Sequence, residues 1–154
     1  MSDTGLDLDQ LQRQESLHLA TELTAGLAHQ IGARAQDIGN AAAHPIAIAV
    51  RLCGRTVFQV GLEGSTPLND EWLMKKIRVV EVFHQSTLLV RAEHEARGRD
   101  FHTIHGGDPG FWSPAGGGVP IRNPSGTVVG AMAVSGLTQI EDHDLCREVL
   151  RAFE

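Results

Sequence analysis

At 154 residues, with 42% apolar and 21% charged residues, the chain has the size and composition of one globular domain with a proper core. A net charge of -6, only 5% aromatic residues and no tyrosine argue against a nucleic-acid phosphate footprint, a base-stacking platform or an anionic membrane surface. No apolar run approaches the roughly 20 residues that span a bilayer, and the acidic start MSDTGLDLDQLQRQE is unlike a secretory signal, so a cytoplasmic location is expected.

Residues 1–14 lack sustained periodicity and carry several acids, and are expected to form a flexible tail before a single domain over 15–154. From about Glu15 to Gly39 the recurrence of Leu23, Leu27, Ile31, Ala35 and Ile38 predicts a helix. Gly26 and Gly32 weaken it, and Gly39-Asn40 stops it. Ile46–Leu52 is an almost unbroken apolar run, as for a strand covered on both faces, and Arg55–Leu62 returns beside it after a turn at Gly54. Cys53 and Cys146 form no CxxC and are expected to be buried free thiols.

Thr66 as N-cap, Pro67 at the first helical position and Asp70-Glu71 in the first turn open the next helix. Trp72, Lys76, Val79 and Phe83 share one face of it, Leu73, Ile77, Val80 and His84 the adjoining one; Lys76 interrupts a wide apolar arc. Residues 86–97 read as a short helix or a strand, with Ser86 as a cap and the Glu93/Arg97 pair favouring helix. Residues 98–115, GRDFHTIHGGDPGFWSPA, read as a long loop whose Phe101, Phe111 and Trp112 must pack on the sheet or on another subunit.

Gly116-Gly117-Gly118 then lead into a second hairpin, Val119–Arg122 and Thr127–Val134, joined by Asn123-Pro124-Ser125-Gly126. Thr138 with Glu141 makes a capping box for a last helix, along which His143, Cys146, Leu150 and Phe153 share a face. The order helix, hairpin, helix, hairpin, helix predicts an α+β fold: both hairpins side by side in one antiparallel layer, with Trp72 and Phe153 pressed against it.

Three candidate sites stand out. His143, in the first turns of the last helix, reads either as a neutral imidazole able to ligate metal or accept a proton, or as a core-edge histidine satisfied by a backbone carbonyl. Lys76 reads as an anion holder, as a partner of Asp142 or Glu141, or as a chain snorkelling along Trp72 to solvent. His102, His105 and Asp108 carry the right donor types for zinc or iron, but that spacing converges only on a helix, which Gly106-Gly107-Asp108-Pro109 opposes. The triple glycine precedes a strand and so is no dinucleotide fingerprint, and no catalytic triad can be assembled.

Asn69-Asp70-Glu71-Trp72 with Lys76, Phe83 and Ser86, then Gly116–Ile121, then Val134-Ser135-Gly136-Leu137 with Glu141-Asp142-His143, resemble a bacterial and fungal family of uncharacterised proteins related to the haem-degrading, HbpS/GlcG-like domains. The resemblance runs from Leu23 to Phe153. It implies a profilin-like fold, with helices on both faces of a central antiparallel sheet, and assembly into homo-oligomers. Some relatives bind haem or a corrinoid, so the resemblance implies a small-ligand site for haem or a related tetrapyrrole. Its expected contacts are Lys76, His143, Asp142, Gly117, Gly118 and Ser135, between the glycine hairpin and the start of the last helix. The family pattern often has a histidine just before the glycine run; here that residue is Ala115, and His105 is its candidate spatial substitute. His105 and His143 are accordingly the candidate metal ligands. Two other classes of function are a protein-interaction scaffold working through the oligomer surface and an enzyme using His143 as acid or base.

Overall fold

The computed structural model describes residues 7–154; the first six residues of the expected tail lie outside them. The elements run α1 (Leu8–Gln14), α2 (Ala25–Ala41), β1 (Ala47–Leu52), β2 (Arg55–Gly61), α3 (Pro67–Phe83), α4 (Thr87–Ala96), α5 (Phe101–His105), β3 (Gly118–Arg122), β4 (Val128–Ser135) and α6 (Gln139–Arg151). The strands form one antiparallel sheet in the order β2-β1-β4-β3, so the two hairpins do lie side by side in a single layer. The register puts Ala47 beside Ser135 and Gly118 beside Ala133.

The alternation of large and small residues in AIAV and AMAVS decides which helix sits on which face. Ile48, Val50, Met132 and Val134 point to one side, where they pack with Val119 and Ile121 against α2 and α6. Ala47, Ala49, Ala131 and Ala133 point to the other, where Leu73, Ile77 and Val80 of α3 fill the space their short side chains leave. Each such fully buried Leu, Ile or Val contributes about 1.5–3 kcal/mol of apolar burial. The fold is thus the expected α+β arrangement of the profilin-like kind, with helices on both faces. Gly32 is not a weak point of α2 but a packing one: the Phe58 ring sits where a Cβ would stand, at 2.3 Å.

Four expectations need correction. Residues 8–14 are not a flexible tail. They form α1, held because Leu11 is buried against Leu88, Leu89 and Ala92 and because Glu15 accepts from the Ser86 N–H (2.8 Å) and pairs with Arg122 (3.0 Å). The helix expected from Glu15 begins only at Ala25, where the Thr24 hydroxyl caps the Leu27 N–H; the stretch before it covers the outer edge of the sheet, with the Leu19 N–H donating to the Arg122 carbonyl (2.8 Å). Cys53 is exposed, because it occupies a left-handed turn position (φ 48°) between β1 and β2, whereas Cys146 is a buried thiol as expected. The long loop contains α5, capped by Asp100, and Phe101 is buried with Val79 and Val90 while Phe83 and Trp112 pack alongside.

Candidate functional site

The glycine stretch, α3 and α6 meet at the Lys76 ammonium. Lys76 neither snorkels to solvent nor stands free: only 3% exposed, it donates to the Val134 carbonyl (2.8 Å) and to Asp142 Oδ2 (3.1 Å). Asp142 is 2% exposed, and its other oxygen accepts from the Leu137 N–H (3.1 Å). One buried cation therefore ties α3 to β4 and α6. Burial pushes the Asp142 carboxyl above the usual carboxylate range, against the pull of Lys76 and of its hydrogen bonds.

The glycines exist for this pair. A Cβ on Gly117 would stand 2.6 Å from the Val134 carbonyl oxygen and 2.7 Å from Lys76 Nζ. One on Gly118 would stand 3.1 Å from Lys76 Cβ, Thr87 and Val80. Gly117 and Gly118 therefore act by letting backbone approach, and the Gly118 N–H finds its partner in the Thr87 hydroxyl (3.1 Å).

Above the pair opens a cleft of about 340 Å³. The first two turns of α3 line it with Leu68, Asn69 and Trp72 and the first turn of α6 with Gln139, and Ala115-Gly116 and Ser135–Leu137 form its rims. Two helix amino termini thus face one opening, each with its positive dipole end, and the charges of Lys76 and Asp142 cancel at the floor. Trp72 walls the cleft and carries the Lys75 ammonium over its ring (4.4 Å) instead of pressing on the sheet; Phe153 packs against the α2/α6 core as expected. Leu68 and Gln139 were not singled out in the sequence, and Asn69 only within the motif that carries the family resemblance. The signal available was their place in the first turns of two clearly capped helices.

His143 does not join this cleft. One residue along a helix is a turn of about 100°, so while Asp142 faces Lys76, His143 faces α1. There its Nε2–H donates to Gln14 Oε1 (2.7 Å), within a narrow cavity of about 20 Å³ shared with Glu15, Arg122 and Arg147. Among the described residues no metal ligand set forms around it, and its hydrogen bond goes to the Gln14 side chain instead of a backbone carbonyl. It is neutral, but burial is the main reason, with Arg147 second; together they hold its pKa down at about 4.

A pH dependence follows. The folded imidazole resists a proton that the unfolded one takes up near 6.5, so this contribution to stability is complete above pH 6.5 and is lost as pH falls toward 4, amounting to on the order of 3 kcal/mol. Urea unfolding at pH 7 and pH 4.5 should show this loss in the native chain and not in His143→Asn. The raised Asp142 carboxyl works in the opposite direction in both proteins, so the difference between them isolates His143.

His105 does not substitute for a histidine at Ala115 either. It lies against Phe83 (ring centroids 4.9 Å apart), seven residues and so about 10 Å along α3 from Lys76. Its neighbour is His94, which the sequence did not single out, with the two Nε2 atoms 2.8 Å apart. Desolvation and His94 hold the His105 pKa below the usual value. Among the described residues, no three His, Cys, Asp or Glu side chains converge as a metal site, and no helix is long and apolar enough to cross a membrane.

Comparison with known proteins places these features. Residues 23–151 match the family described as haem degrading protein HbpS-like. A UPF0303 protein of Streptomyces coelicolor is 34% identical over 150 residues, covering 97% of this chain and 95% of its own length. One of Brucella melitensis is 38% identical over 143 residues, covering 93% and 85%. Among solved structures, the Ybr137w protein superposes with a TM-score of 0.87 at 24% identity, over 96% of this chain and 88% of its own. PduOC in complex with haem gives 0.73 at 16% identity, over 86% and 95%. A double mutant of Streptomyces reticuli HbpS gives 0.71 at 20%, over 90% and 92%. The structures share the fold; the family match and the UPF0303 relatives show that the chain belongs to the HbpS-like family.

Proposed function

We propose that this member of the HbpS-like family is a homo-oligomeric small-ligand-binding domain whose ligand is a planar, carboxylate-bearing molecule of the tetrapyrrole class, held in the cleft above Lys76 and Asp142. The observation that carries the reading is the convergence of two helix amino termini and the aromatic wall of Trp72 on one opening, above a floor where Lys76 and Asp142 neutralise each other. Acid groups of the ligand meet the helix ends, and its flat body lies against Trp72 and Leu68. Haem-bound PduOC and the family's description support the ligand class.

Iron is not what the cleft recognises. Its lining holds no histidine, cysteine or methionine, and its lysine and aspartate are bound to each other. The ring and its acid groups are therefore the recognised parts. At about 340 Å³ the cleft covers only one edge of such a ligand, being near the lower end of the ~300–1,000 Å³ usual for ligand sites. Leu68, 62% exposed at its rim, is where a second copy of the chain would complete the cover.

Titration with hemin and with metal-free protoporphyrin IX should give closely similar, saturable affinities. Leu68→Glu, which sets a carboxylate at the rim, should weaken both about tenfold or more, an effect of about 1.4 kcal/mol. Val82→Glu, the same charge change at a 65% exposed position outside the cleft lining, should leave both unchanged. Equal behaviour of the two variants, or hemin binding far more tightly than the metal-free ring, would remove the proposal.

A further inference from the structure

A second constellation, independent of the cleft, lies where the end of α4 meets α5. His94 Nδ1 is 2.7 Å from the Val90 carbonyl oxygen. A carbonyl only accepts, so Nδ1 carries the proton and Nε2 of the neutral ring is left with a bare lone pair. That lone pair faces His105 Nε2 at 2.8 Å. Both rings lie against aromatic neighbours: Phe101 has its centroid 5.5 Å from that of His94 and 5.0 Å from that of His105, and Phe83 flanks His105 on another side. His94 is half-buried and His105 is exposed, so the pair opens to solvent on one side only.

We propose that His94 and His105 form a two-histidine site for a divalent transition-metal ion of the zinc or copper type, with water completing its coordination. The arrangement has the parts such a site requires. The donors are two imidazoles, which suit zinc, copper and nickel over magnesium or calcium. The ring least free to move, His94, has the orienting hydrogen bond from its second nitrogen to a backbone carbonyl that metal-binding histidines characteristically make.

Without metal, His105 Nε2–H donates to His94 Nε2. With metal, His105 moves its proton from Nε2 to Nδ1, and both Nε2 lone pairs point to the ion; no proton is gained or lost. Two nitrogens at about 2.05 Å from a tetrahedral ion stand about 3.3 Å apart, so the pair has to open by about 0.5 Å and the rings have to tilt until their lone pairs leave the N···N line and meet at the ion. The exposed His105, at the end of a short helix and followed by Gly106-Gly107, is the ring that gives way.

Isothermal titration of the whole protein with zinc(II), together with nitrogen-15 spectra of the imidazoles, tests this. Saturable uptake of one equivalent is expected, with His105 passing to the Nδ1–H tautomer. His105→Gln and His94→Gln should each weaken uptake at least about tenfold, the scale on which supporting groups already act at metal sites. His29→Gln, on the exposed face of α2, should leave it unchanged. Absence of saturable uptake, equal uptake in His105→Gln, or imidazole signals that do not respond to zinc would overturn the proposal. His105 is exposed, so its variant should keep the native melting temperature and report on the metal alone.

Discussion

Asp142→Ala should lower the stability of the fold by about 3–5 kcal/mol at pH 7, because it strands the Lys76 ammonium and the Leu137 N–H in the interior without their partner. Lys76→Met should cost a similar amount by leaving a buried carboxylate alone. Lys76→Met combined with Asp142→Leu should cost far less than the sum, since a buried ion pair gives back in attraction roughly what its desolvation takes. Guanidinium unfolding of the two single variants and the double variant measures this coupling directly. Additive losses, or single losses below about 1 kcal/mol, would mean that the pair is not the buried clasp described here.

Gly117→Ala is the second large effect. At φ 122° the residue lies in backbone territory where a side chain is strained, which costs about 1–3 kcal/mol. Its Cβ would also crowd the Val134 oxygen, Lys76 Nζ and Asp142 Cβ, all within 2.8 Å, and forcing atoms into a packed interior costs about another 1–3 kcal/mol. A loss on the order of 4 kcal/mol is expected. Gly126→Ala, also at positive φ (86°) but with nothing within 4 Å, provides the comparison; only the local strain of about 1 kcal/mol should appear there. Thermal melts showing equal losses at the two glycines would contradict the close approach at Gly117.

What could be read in the sequence was whatever is written locally. Thr66-Pro67 and Thr138–Glu141 announced helices that start where expected, with the Thr138–Glu141 capping box formed. The two hairpins were legible from their turns and apolar runs, and their place in one layer from the order helix, hairpin, helix, hairpin, helix. The contacts that had to be found in space were harder. Lys76 and Asp142 are 66 positions apart, and nothing in either neighbourhood distinguishes a clasp from an anion holder. Asp142 and His143 looked like one site because they are adjacent in the chain, yet helical geometry sends them to different cavities. The seven-residue α1 has a single fully buried core residue, Leu11, so no periodicity marks it. His94 was silent because an unremarkable helical histidine gains meaning only when the turn after α4 folds the next short helix, with His105, back onto it.

The clasp and the cleft above it are separable. The clasp is a property of the folded chain, and its energetics follow from burial alone. The cleft is the binding surface proposed above, and that use depends on the residues that leave it open: Ala115 and Gly116 on one rim, Ser135 and Gly136 on the other. The central claim is that ligand contacts this opening and neither the His143 cavity nor the His94–His105 pair. Backbone amide shifts recorded while metal-free protoporphyrin IX is added give the most direct test. The account predicts that the perturbed amides cluster at Leu68, Asn69, Trp72, Gly116 and Gly136, with those of Gln14 and His105 unmoved. Shifts centred on α1 or α5 instead, or scattered evenly over the surface, would contradict it.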